Sequence, residues 1–158
     1  MKESLLIFAL KDAGWTISAA SIFSCCLGVP ARYALLCGIC AAVGHTLQAV
    51  LLLMGTPLAA ATFFGAMLIG FVGIIFGKIW HLPRVALTVP ALLPMLPGTF
   101  VFNGLLAVVN TASMSGLAPS GVALDAFSNF MRAGIILCAL TAGIALPNLM
   151  IGYHKPQV

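Results

Sequence analysis

The sequence predicts an all-α integral membrane protein of about five transmembrane helices, the fourth of them broken by proline and glycine. Three observations carry this expectation. Hydrophobic residues make up 62% of the 158-residue chain and charged residues 6%, against the roughly 25% charged content of soluble domains. Mean hydropathy is +1.17. The apolar residues fall into bilayer-length runs parted by short turns, and one run contains Pro90, Pro94, Pro97 and Gly98. About five spans of ~20 residues fill such a chain, so residues 1–158 are expected to form a single polytopic membrane domain with no soluble domain attached. Any water-phase catalysis would need another chain.

The first span is expected over residues 4–27, closed by Gly28 and followed by Pro30. A secretory signal is a competing reading of this end, because Lys2 precedes an apolar run and Ser18-Ala19-Ala20 resembles a cleavage site. Lys11 and Asp12 interrupt that run too early for a signal core, so the reading is rejected. Adjacent helical residues diverge by about 100°, so Lys11 and Asp12 cannot face one neighbour. Two readings stay open for them, snorkelling near the interface and a gate or proton-linked pair.

The second span, residues 33–54, has Gly44-His45 and Gln48 in its interior. His45 falls near the bilayer midplane and Gln48 lies nearly one turn further on the same side. The pair either hydrogen-bonds a neighbouring helix or faces a translocation path. The third span, residues 58–77, carries Gly73 and Gly77 as G-x-x-x-G with Ala66 and Gly70 at the same spacing. These are faces for close helix approach. Lys78, Trp80, His81 and Arg84 then form a basic and aromatic interfacial anchor.

The fourth span, residues 85–109, is expected to break near residues 90–98. Each internal proline removes a donor and costs roughly 3 kcal/mol in a helix interior. In hydrocarbon the freed carbonyls find no water, so such a break survives only where protein or a hydrated cavity satisfies it. Gly98 and Thr99 would open a second half-helix whose free N–H groups can receive a carboxylate; a simple kink without a ligand is the other reading. Residues 110–119 form a polar loop without charge. The fifth span, residues 121–151, is long enough to need tilt or a break near Pro147. Asp125, Asn129 and Arg132 stand at i, i+4 and i+7, on one stripe of its surface. A lipid-facing arginine at depth costs at least about 2.5 to 3.5 kcal/mol, so the stripe should face protein or water, as a structural ladder or for substrate and proton handling.

The five cysteines, Cys25, Cys26, Cys37, Cys40 and Cys138, lie in apolar helical stretches. Cys37-Gly-Ile-Cys40 matches C-x-x-C without strand context or a second ligand pair, so these read as small packing residues rather than redox or metal ligands. No cofactor, metal or catalytic residue is expected. The net charge of +4 comes from seven bases and three acids and bears on topology, not on nucleic acid. Arg32, Lys78, Arg84 and Lys155 fall on one side of a five-span arrangement and Lys2 on the other. The first side should be cytoplasmic, with the N-terminus outside and the C-terminus inside.

At Pro94-Met95-Leu96-Pro97-Gly98, with Gly44-His45 and Ala61-Thr62-Phe63 upstream, the chain resembles the threonine/serine exporter family. It looks most like the small five-span subunit of the split type, a succinate transporter acting with a larger partner subunit. The resemblance implies a bacterial inner-membrane exporter of small carboxylates or hydroxy amino acids. His45, Pro94, Pro97 and Gly98 match the family pattern, whereas Asp125 and Arg132 rest on physical grounds only. Two successive units with an odd number of spans have opposite orientations, so chain and partner would form an inverted-repeat pair.

The expected translocation path therefore comprises Pro94, Pro97, Gly98, Thr99, His45, Gln48, Asn129 and Arg132, with Asp125, Lys11 and Asp12 in proton coupling or gating. No phosphate-binding loop is present, so a gradient or a partner must supply energy. A threonine/serine exporter subunit and a non-transporting assembly subunit are the alternatives. A lipid-acting enzyme would need a convergent nucleophile or metal set that one deep histidine and three acids do not supply.

Overall fold

A glycine, any residue and a proline recur at Gly28-Val29-Pro30 and Gly55-Thr56-Pro57, and His81-Leu82-Pro83 repeats the pattern with histidine in the first place. In the computed structural model these triplets are the turns between the first four helices. The structure describes the backbone of residues 2–113 and 120–152, and the side chains of residues 10–113 and 121–151. Lys155 and residues 114–119 of the polar loop lie outside the described residues.

Each turn stops and restarts a helix in the same way. Gly28 and Gly55 take φ of +79° and +84°, the left-handed conformation that glycine adopts without Cβ strain. The following N–H reaches back across the helix end, from Val29 to Ser24 O at 3.0 Å and from Thr56 to Leu51 O at 3.1 Å, satisfying carbonyls that the helix end orphans. His81 adopts the same geometry at φ 54°, with Leu82 N–H donating to Gly77 O at 3.1 Å. Pro30, Pro57 and Pro83 then cap the next helices, their carbonyls accepting the first N–H groups at 2.8 to 3.0 Å.

The resulting order is α1 (Lys2–Cys26), α2 (Ala31–Leu53), α3 (Leu58–Trp80), α4 (Arg84–Leu92), a 3-10 turn (Leu93–Met95), α5 (Gly98–Ser113) and α6 (Ser120–Gly152). All described regular structure is helical. Among the described residues three helices, α2, α3 and α6, are long and apolar enough to cross a bilayer, and α4 with its 3-10 turn plus α5 adds a fourth candidate as one interrupted span. α1 is 25 residues long, with Lys11 and Asp12 near its middle and its side chains described from residue 10 onward.

Contacts divide the described chain into two compact units. One runs up to Met95 and includes α6 from Ala139 onward; the other is Leu96–Cys138. In the first, α1 to α4 pack as successive antiparallel hairpins and the 3-10 turn lies against α1, α2 and α4. Helix association in lipid depends on close packing rather than on expulsion of water, and glycine makes that closeness here. A Cβ on Gly65 would lie 2.8 Å from Gly44 O and 2.8 Å from Met95 Cε, and one on Gly143 of α6 would lie 2.6 Å from Phe63 O of α3. The G-x-x-x-G glycines Gly73 and Gly77 both face α4, at Thr88 and Arg84. In the second unit α5 buries Gly104 alone, beneath the Phe130 ring of α6.

Two prolines lie inside helices. Pro90 sits inside α4 without ending it. Its missing N–H frees the carbonyl four residues back, Ala86 O, and the Cys37 thiol of α2 donates to that atom at 3.7 Å. The helix stops two residues later, at Leu92, and the chain resumes as α5 at Gly98, whose N–H bonds Leu96 O at 2.8 Å. Pro147 is likewise inside α6 with no break, its ring packed on Gly70 of α3.

Candidate functional site

Because α1 and α2 are antiparallel about the Gly28–Pro30 turn, residues equally far from it on either side share a level. Asp12 and His45 are such a pair, and His45 Nδ1 stands 2.8 Å from Asp12 Oδ2. Both lie near the middle of their helices. An ionised carboxylate only accepts, so with Asp12 charged the hydrogen of this bond is carried by Nδ1. The pair is not sealed: 25% of the His45 side chain and 21% of the Asp12 side chain are accessible. Thr16 donates to the Asp12 backbone carbonyl at 2.8 Å, so its hydroxyl does not donate to the carboxylate.

One turn further along α2, on the side facing α3, Gln48 Nε2 donates to Thr62 Oγ1 at 2.7 Å and Thr62 passes its own proton to Leu58 O at 2.7 Å. Gln48 is 6% exposed and Thr62 is fully buried. Gly44 and Gly65 bring α2 and α3 together at this level, and a Cβ on Gly65 would lie 3.3 Å from Gln48 Cβ. Met95, from the proline-bounded 3-10 turn, closes on the same glycine. A polar seam thus runs from α1 across α2 to α3 beside the turn that contains Pro94. Among the described residues every buried side-chain nitrogen and oxygen has a hydrogen-bond partner.

Of the residues singled out by sequence, the structure joins Asp12 to His45 and places Gln48 and Pro94 in the same unit. Lys11 is exposed. Pro97, Gly98, Thr99, Asp125, Asn129 and Arg132 belong to the other unit. There a groove of about 410 Å³ opens at the start of α5, lined by Leu96, Pro97, Gly98, Val101, Phe102, Leu105 and Leu137. Its lining is apolar, and Thr99 and Arg132, both exposed, are not part of it. Asn129 turns its amide back to donate to Asp125 O at 2.9 Å, and Ser128 does the same at 3.0 Å. Asp125 and Arg132 are exposed on α6.

Sequence reasoning missed Thr62 as the partner of Gln48, the Asp12–His45 bond and the support of Pro90 by Cys37. A signal for the first two was present. Gln48 and Thr62 stand nearly equidistant from the Gly55–Pro57 turn, as Asp12 and His45 do from the first turn.

Comparison with known proteins places this geometry in context. The family described as Threonine/Serine exporter, ThrE, matches residues 13–150. An uncharacterized protein of Haemophilus influenzae is 31% identical over 157 residues, which cover 98% of this chain and 52% of the relative. The chain therefore spans about half the length of the curated relative it matches. No solved structure matches the chain.

Proposed function

Because this chain belongs to the threonine/serine exporter family, a family of multi-pass membrane transporters, we propose that it is the membrane subunit of a secondary exporter of small carboxylates, with succinate as the first candidate. It works with a larger partner of the same family, the two forming an inverted-repeat pair across a bacterial inner membrane, with this chain's N-terminus outside. The alternatives are threonine and serine as cargo, or an assembly role without transport. It transports rather than catalyses.

The observation that carries the reading is the polar seam. Ionisable and amide side chains in the middle of membrane helices are costly and mark solute or proton pathways. Asp12, His45, Gln48 and Thr62 concentrate such groups beside a helix interruption. The matching relative has roughly as much chain again beyond the matched part, which is room for a second unit. In the proposed cycle Arg132 supplies the positive charge for the substrate carboxylate and the Gly98–Thr99 helix start receives it.

The test is uptake of labelled succinate and labelled threonine into inverted vesicles containing this chain with and without the larger partner. Succinate should accumulate only with both present, and Arg132→Gln should abolish it while leaving the assembled complex at wild-type level. Preference for threonine would move the cargo to hydroxy amino acids. Accumulation of neither by an assembled pair would overturn the reading.

A further inference from the structure

We infer that Asp12 and His45 form the proton-binding site that couples this chain to a proton gradient, with the proton taken up and released at His45 Nε2 while the Asp12 carboxylate holds Nδ1. The inference rests on the transporter reading above.

Placement is the first support. The pair sits mid-helix in both α1 and α2, whereas Arg32, Lys78 and Arg84 stand at helix ends beside the Gly28–Pro30 and His81–Pro83 turns. Lys11, exposed and turned about 100° from Asp12 on the same helix, is the charged neighbour on α1. Among the described residues, the elements of this unit contribute no other acid or base at that level. α2 adds the buried thiols of Cys37 and Cys40 nearer the first turn, and the described parts of α3, α4, the 3-10 turn and α6 from Ala139 onward present no titratable group opposite the pair.

Accessibility is the second support. Two polar pairs lie one turn apart on α2 and differ in kind. Gln48–Thr62 is neutral and buried, with the amide donating to Thr62 and Thr62 to Leu58 O. Asp12–His45 is ionisable and partly open. A purely structural polar contact is best closed; a site that exchanges protons must be reached by water. Histidine is the side chain whose ordinary titration falls in the neutral range.

Charge supplies the coupling. With H⁺ on Nε2 the imidazolium and carboxylate sum to zero; after its release the neutral ring and the carboxylate sum to minus one. In a low-dielectric surrounding the neutral form favours closure away from water and the charged form favours hydration. One proton bound or lost therefore biases which side of the membrane the seam faces, with His45 Nε2 as the only atom whose bond to hydrogen forms and breaks.

The deciding experiment reconstitutes the two-subunit transporter and compares accumulation driven by a pH gradient with solute counterflow, using labelled succinate and threonine as probes. Asp12→Asn and His45→Gln should lower the ratio of driven accumulation to counterflow by about tenfold. An unchanged ratio in both variants overturns the inference. A second measurement does not depend on cargo: pH-jump difference infrared spectra of the wild-type chain in lipid. An imidazole signal absent from His45→Gln and altered in Asp12→Asn supports proton binding at the pair, and identical spectra for wild type and His45→Gln overturn it. If the wild-type protein moves neither solute, the transporter reading fails while the infrared result still decides whether the pair binds a proton.

Discussion

Glycine means opposite things in the two units. Along α2, α3 and the end of α6, a Cβ on Gly44, Gly65 or Gly143 would strike the backbone of another helix. In the Leu96–Cys138 unit, a Cβ on Gly98, Gly121 or Gly134 would meet nothing within 4 Å, and among its described glycines Gly104 alone is covered. The first unit is held by closeness, which leaves no space for side chains at its crossings. The second turns Phe102, Leu105, Leu124, Phe127 and Ile135 outward, each more than half exposed. Small residues in a membrane helix thus identify a packed crossing only where another helix is there to use them.

Substitution separates the two cases. Gly65→Val should cost about 3 kcal/mol or more, since Met95 can move aside but Gly44 O cannot, whereas Gly98→Ala should stay within about 0.5 kcal/mol. Thermal unfolding of the purified chain in detergent checks both, and equal loss in the two variants would break the comparison. A smaller effect is expected inside the first unit. In a double-mutant cycle, Gln48→Leu and Thr62→Val should couple by roughly 0.5 to 1 kcal/mol, because the buried amide and hydroxyl serve each other; zero coupling would detach the seam from the stability of the crossing. The smallest effect sharpens the turn comparison. His81→Gly should raise stability by about 0.5 kcal/mol, the relief of a left-handed backbone exceeding the entropy that glycine adds to the unfolded chain, and a lower melting temperature would show that the histidine side chain holds the turn.

Much of the architecture was legible because it depends on local rules. Composition and apolar run length point to membrane helices, and Gly28, Pro30 and the Pro94–Gly98 segment mark boundaries through backbone geometry alone. What resisted reading depends on a second element. The sequence does not say what supports Pro90 inside α4, which is Cys37 of α2 reaching Ala86 O, or what the Pro147 ring packs on, which is Gly70 of α3. The i, i+4, i+7 spacing places Asp125, Asn129 and Arg132 on one face of α6 but says nothing of rotamers, and Asn129 bonds its own helix. Asp12 and His45 each looked functional separately; only the antiparallel hairpin brings them together.

That hairpin also bears on how the chain enters a membrane. α1 leaves the ribosome before α2, and on its own it would bring Asp12 into lipid without the His45 partner. Its counterpart His45 arrives with α2, the more apolar of the two, and equal distances from the Gly28–Pro30 turn bring both to the same depth when the hairpin closes. Closed as a hairpin, the two arms give Asp12 a partner at the depth they share, which neither arm supplies alone.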